Sequence, residues 1–173
     1  MYGKIIVATD GSSCGNRAVM AAADLAQKYG ASLTVLHVLM HGSPPDALKH
    51  MAEVEHLVDA HPNASIAFES MPAMAMSSSR MAQGRIDYQV IEAIGRKVVE
   101  RAVEAVKDAG LAKVEGTTAD GEPAEQIIKL AREQGADLIV LGNRGLSNFK
   151  RILMGSISQK VAQLADCACL IVR

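Results

Sequence analysis

Apolar residues recur along this chain in two alternating rhythms. Lys4 to Thr9 is a short β-rich apolar run of the kind buried on both faces of a parallel sheet. It stops at Asp10-Gly11-Ser12-Ser13, a turn cluster that also supplies helix N-caps. From about Cys14 to Tyr29, Val19, Ala22, Ala23 and Ala26 fall at helical spacing, and Gly30 closes the stretch. Ser32 to Val38 then reads as a second strand. Strand, helix, strand in this space is a βαβ unit.

The second half repeats the rhythm. Tyr88 to Ala109 carries Val90, Ile94, Val98, Ala102 and Val106 on one stripe, with Glu100, Arg101, Glu104 and Lys107 on the solvated side. A third strand is expected near Val114 to Ala119. Gly121-Glu122-Pro123 opens another helix, since proline fits the first helical turn, and Ile127, Ile128, Leu130 and Ala131 give it a buried face up to Gly135. Ala136 to Leu141 predicts a fourth strand, Ser156 to Ala165 a last helix and Ala168 to Val172 a fifth strand. The alternation predicts a three-layer α/β fold, a doubly wound five-stranded parallel sheet covered on both faces. Ligands of such sheets lie beyond the carboxyl ends of the strands, where strand order reverses. The stretches of interest are therefore Asp10 to Ser13, the chain from Val38, Ala119 to Glu122, and Gly142 onward.

Between about His41 and Asp87 the regularity lapses. Pro44-Pro45 opens the region, Leu48, Met51, Ala52 and Glu55 suit one short helix, and Met71 to Ser79 has no clear period. A crossover needs far fewer residues than this. The segment reads as an insertion between strand two and helix two, partly helical and partly mobile. With no internal repeat and no second core visible, a single domain over 1–173 is expected, with about 41–87 as its insertion.

Charge narrows the function classes. Lys plus Arg numbers 18 against 19 for Asp plus Glu, so there is no basic excess to draw nucleic acid or anionic lipid. No apolar run approaches the ~18–20 residues that span a bilayer. The start has no charged-then-apolar leader, and the three cysteines are an odd count. A cytoplasmic protein is the expectation.

The candidate chemistry follows the fourth strand: Gly142-Asn143-Arg144-Gly145, nine residues, then Gly155-Ser156. Glycine lets a backbone come close to a bulky anionic ligand. Gly155-Ser156 opens the last helix, whose first free amides, dipole and hydroxyl suit a phosphate. Arg144, Lys150 and Arg151 would add positive charge. A glycine-rich surface loop with a helix cap would leave the same pattern.

With those residues in view, the chain resembles the universal stress protein family, in its ATP-binding branch. The resemblance runs through Ile5 to Ser12, Leu36-His37-Val38, Gly121 to Ala124, Ala136 to Gly142 and on to Gly155-Ser156, and Cys169 to Arg173. It implies an adenine-nucleotide α-hydrolase-like fold, usually a homodimer, with ATP as ligand; the apolar edge strand Ala168 to Val172 suits the pairing of two subunits, and Asp10, following the first strand, suits Mg²⁺ held through the phosphates. Carried over by position, it implies a nucleotide site of Thr9, Asp10, Gly11, Ser12, Val38, Leu141, Gly142, Asn143, Arg144, Gly145, Gly155, Ser156 and Ile157. Within it Asp10 would approach the ribose or the metal-phosphate region, and the Val38 backbone would meet the adenine. Gly142, Gly145, Gly155 and Ser156 would line ribose and phosphates. Asn143-Arg144 departs from the Ser or Thr followed by His or Arg that relatives often carry, and the insertion departs further.

Other readings stay beside this one. Asp10 suits a Mg²⁺ ligand and equally a turn residue. The chain has no G-x4-G-K-[S/T] loop, no kinase signature set and no Ser-Gly-Gly loop of the ATP pyrophosphatases, so binding or sensing is favoured over rapid hydrolysis. A slow ATPase, or an interaction protein that keeps the fold without the nucleotide, are the alternatives. The five histidines, His37, His41, His50, His56 and His61, lack metal-ligand spacing and are expected to be solvated or packed within the insertion. Cys14, Cys167 and Cys169 are expected to be buried, unreactive thiols. Met71, Met74, Met76 and Met81 form a soft apolar patch or a tether.

Overall fold

A computed structural model describes residues 2–39, 76–145 and 154–173, with backbone alone over 76–90. Among the described residues the elements are, in order, β1 (Lys4–Ala8), α1 (Ser13–Tyr29), β2 (Ser32–Leu39), α2 (Met76–Asp108), β3 (Val114–Asp120), α3 (Pro123–Gln134), β4 (Leu138–Gly142), α4 (Ser156–Leu164) and β5 (Ala168–Val172). The chain divides into two compact units, Met1–Gly42 with Gly95–Arg173, and Ser43–Ile94. The first holds the sheet. Of the second, the described part is the helical stretch 76–94 of α2.

The strands form one sheet in the order β3-β2-β1-β4-β5, and every neighbouring pair is parallel. The chain builds outward from β1 to β3, then returns to place β4 on the other side of β1. The doubly wound sheet predicted by the alternation is the one that forms. Its strand order reverses between β1 and β4, which opens a crevice at their carboxyl ends.

Parity along the strands sorts the core into two layers, because successive side chains point to opposite faces. Ile5, Val7, Leu33, Val35, Leu138 and Val140 pack with Ala18, Val19, Ala22 and Ala26 of α1 and Ala102 and Val106 of α2. Ile6, Leu36, Val38, Ile139 and Leu141 pack with Ala124, Ile127 and Ala131 of α3 and Val161 of α4. Burying a large aliphatic side chain contributes about 1.5–3 kcal/mol. The buried rows of β1 and β4 therefore anchor the strand ends that flank the crevice.

Caps sit where the sequence put them. Ser12 caps α1 through its side chain, and Gly30 ends it in the left-handed region at φ 65°. Gly135 ends α3 in the same way at φ 60°. Most boundaries fall within two residues of the expected ones, and one differs widely: the helix expected from Tyr88 begins at Met76. Ser77 to Ser79 and Gly84 are weak helix formers, and they blur the periodicity over that stretch. Up to residue 75 the expected insertion lies outside the described residues.

Candidate functional site

The crevice is built from three strand ends. At the first, β1 gives way to a turn that holds itself. The Thr9 amide donates to Leu36 O at 2.9 Å. The Gly11 amide donates to Thr9 Oγ1 at 3.1 Å and the Ser12 amide to Asp10 Oδ1 at 3.0 Å. The Gly15 amide donates to Ser12 Oγ at 3.0 Å. Gly11 occupies φ 80°, which few other residues adopt at low cost. Ser12 thus caps the Gly15 amide while Asp10 holds the Ser12 amide, and the other Asp10 oxygen, Oδ2, faces the loop after β4.

That loop is the second wall. The Asn143 amide donates to Val172 O at 2.6 Å, and Asn143 O accepts from the Gly155 amide at 2.7 Å. Ser158 Oγ donates to Gly142 O at 2.8 Å. The start of α4 is therefore sewn to the end of β4, with Asn143 and Ser158 both buried. Gly155 is the cap of α4, and among the described residues no side chain caps that helix. The third wall is the end of β2: Leu36 and Leu141 flank Ala8 on its two sides, so His37 and Val38 run past the end of β1 opposite Gly142 and Asn143.

Three glycines of the candidate site lie at close approaches. A Cβ on Gly145 would lie 2.5 Å from Asp10 Oδ2. One on Gly155 would lie 3.3 Å from Asn143 O. One on Gly142 would lie 2.9 Å from the Cys14 carbonyl carbon, so this glycine is required by the first turn of α1 passing against it. Arg144, Gly145, Ser156 and Ile157 are exposed around the rim, while Thr9 and Leu141 are buried beneath it. Lys150 and Arg151 lie outside the described residues.

Three further residues belong to the site that sequence reasoning missed. Gly15, in the first turn of α1, leaves room for Thr9 Oγ1 and Asp10 Oδ1, which a Cβ would approach to 2.6 and 2.9 Å. A glycine inside a helical pattern was the available signal. Ser158 gave no signal of its own. His37 was expected to be solvated or packed within the insertion; instead it is 6% exposed in β2, with Nδ1 at 2.9 Å from Thr9 O. Burial pushes its pKa down from the usual histidine value, against the opposing pull of the Thr9 carbonyl and the Asp10 charge. The row Leu33, Val35, His37 continues into the core face by strand parity, which explains the burial. The other four histidines, with Met71 and Met74, lie outside the described residues.

No group of three or more His, Cys, Asp or Glu side chains gathers into a metal site among the described residues. Cys14, Cys167 and Cys169 are free and half-buried, and burial raises the last two above the usual thiol range. A cavity of about 150 Å³ lies at the opposite ends of the strands, walled by Ile128, Ala131, Arg132, Ala136 and Cys167, so it is separate from the crevice.

The family model of the Universal stress protein family matches residues 1–173. The chain belongs to the universal stress protein family. Universal stress protein YxiE of Bacillus subtilis is 34% identical over 175 residues, spanning 100% of both chains. Two solved structures share the fold. The hypothetical protein MJ0577 of Methanocaldococcus jannaschii has a TM-score of 0.65 at 24% identity, covering 99% of this chain and 96% of that one. The universal stress protein of Archaeoglobus fulgidus, solved in complex with dAMP, has a TM-score of 0.59 at 20% identity, covering 99% and 98%.

Proposed function

We propose that this universal stress protein is a nucleotide-dependent regulatory module that binds ATP with Mg²⁺ at the carboxyl ends of β2, β1 and β4. The single observation that carries the reading is the meeting of the Asp10 turn with the Gly142–Gly145 loop at the reversal of strand order, in front of a helix whose cap is glycine. A helix start capped by glycine has no cap side chain of its own to take its first amides, and the dipole favours negative charge there. Membership of the family, and the dAMP held by the fold-sharing Archaeoglobus fulgidus protein, support an adenine nucleotide.

The residues present fit such a ligand. Gly145, Gly155 and Ser156 would cradle the phosphates, with Thr9, Gly11, Ser12, Leu141, Gly142 and Asn143 shaping the floor. Arg144 and Ile157 would stand at the rim, and the Val38 backbone would meet the base. Asp10 stands without a metal-binding cluster among the described residues, so a Mg²⁺ there would be shared with phosphate oxygens. The bound cation would screen phosphate charge. The same sparse set of donors favours binding over hydrolysis.

A ligand that binds only the native state must stabilise it, by about 2.7 kcal/mol at a hundred times its Kd. Heating the chain with millimolar ATP and Mg²⁺ tests this. A raised midpoint is expected, and an unchanged one would remove the nucleotide reading.

A second property of the same module is self-association through β5. That strand is an edge of the sheet, and Leu170 and nearby Leu164 are 36% and 52% exposed. An open parallel edge with apolar residues pairs readily with a second copy. Sedimentation at micromolar concentration is expected to give a dimer, in a cytoplasmic protein. No helix among the described residues is long and apolar enough to cross a membrane.

A further inference from the structure

Position 37 is an expensive place for a histidine. It lies in a row of aliphatic side chains on a central strand and is 6% exposed. Burying a polar ring costs free energy unless its nitrogens are bonded. The bond that offsets the cost runs from Nδ1 to Thr9 O at 2.9 Å. A carbonyl oxygen can only accept, so Nδ1 carries the hydrogen. The Thr9 amide already makes the backbone bond to Leu36 O at 2.9 Å. The imidazole therefore adds a side-chain tie to the β1–β2 ladder next to Asp10.

The ring is also held from behind. A Cβ on Gly95 of α2 would lie 3.0 Å from His37 Cδ2 and would also overlap Leu39 Cδ2. Absence of a side chain at Gly95 lets the helix backbone lie directly on the imidazole. Three residues along, Val98 Cγ2 would be 3.3 Å from a Cβ on Gly11, so the same helix also backs the Asp10 turn. His37 is thus wedged between the end of β1 and α2, and it immediately precedes Val38.

We propose that His37 is a positioning residue of the site: its Nδ1–H holds the Thr9 carbonyl and so fixes the Asp10 turn, on the phosphate side, relative to Val38, on the base side. This rests on the nucleotide reading above. An anionic ligand that engages both sides depends on their spacing, whereas adenosine, which has no phosphates, depends mainly on the β2 end. His37→Leu in the full chain is expected to lower ATP affinity roughly tenfold, the weight of one well-placed hydrogen bond. Adenosine affinity is expected to change by no more than about twofold. His37→Asn, whose side-chain amide offers a donor close to where Nδ1 stood, restores ATP affinity.

Calorimetric titration of ATP and of adenosine into the three proteins reads this directly. Equal losses for both ligands, no loss for either, or an Asn variant no better than Leu would overturn it. Hydrogen exchange separates this inference from the reading beneath it. His37→Leu is expected to speed exchange at the Gly11 and Ser12 amides while Ile6 and Val7 stay protected. Unchanged exchange at Gly11 and Ser12 would sink the positioning role whatever binds. Faster exchange in a chain that binds neither ligand would leave the tie in the fold and overturn its assignment to a nucleotide site.

Discussion

Asp10 Oδ2 occupies the space where a side chain on Gly145 would begin, 2.5 Å from the position of a Cβ there. Two stretches far apart in sequence meet at this point, one ending β1 and the other following β4. Asp10 Oδ1 is already committed to the Ser12 amide at 3.0 Å, so the carboxylate cannot swing away without losing that bond. Gly145→Ala is expected to destabilise the chain by about 0.5–1.5 kcal/mol, the net weight of one hydrogen bond. With Asp10→Gly in the same chain the carboxylate that the alanine would strike is gone, and its cost should vanish. Urea unfolding of the four proteins reads the coupling, and additive costs would contradict the geometry.

Gly15→Ala sets two effects against each other. Alanine is about 1 kcal/mol better than glycine in a helix. Here its Cβ would come within 2.6 Å of Thr9 Oγ1 and 2.9 Å of Asp10 Oδ1. Overlap of that size outweighs propensity, because both oxygens are tied down by the turn. A lowered unfolding midpoint is expected; a raised one would mean that the turn yields freely.

Ser158 joins α4 to β4 through its bond to Gly142 O at 2.8 Å, at 5% exposure. Ser158→Ala leaves that carbonyl without the hydroxyl and is expected to cost about 1–3 kcal/mol. The loss should fall on the α4 start, read as faster exchange of the Gly155 amide. A variant as stable as the parent would show that the junction holds without the hydroxyl.

The sheet was legible because each element carried its own period and its own stop signal. Ala-rich α1 between Ser12 and Gly30, and α3 between Pro123 and Gly135, needed no tertiary information. The candidate site was legible where glycines clustered, at Gly142, Gly145 and Gly155. The reasons for those glycines were not, because Gly142 meets Cys14 and Gly145 meets Asp10 only after the sheet brings β1 and β4 side by side. His37 was misread for the same reason. Its partner, the Thr9 carbonyl, is a backbone atom on the neighbouring strand, and no residue type announces a carbonyl.

Burial of neutral His37 ties stability to pH. Its folded pKa lies below the ordinary value of 6.5, so the unfolded chain takes up a proton first as the solution is acidified. Its contribution is fully present above pH 6.5 and is lost as pH falls below that value toward the lowered folded pKa. His37→Asn removes the titrating group. Urea midpoints between pH 7 and pH 5 should fall less in the variant than in the parent, and equal declines would contradict a buried neutral ring.

Slow hydrolysis is a further property to exclude or establish at Asp10. If the carboxylate only binds, Asp10→Ala weakens ATP affinity and there is no phosphate release in the parent to lose. Release in the parent that disappears in the variant while binding survives would make the module a slow ATPase.

Calorimetric titration of ATP with Mg²⁺ into the purified chain, beside a folded Gly142→Arg, Gly155→Arg variant, tests the central claim most directly. A denatured sample is first checked for nucleotide that co-purified. Saturable binding in the parent and none in the variant is the predicted result. No binding in a parent verified free of nucleotide would contradict it, leaving the glycine loop as a structural junction between β4 and α4.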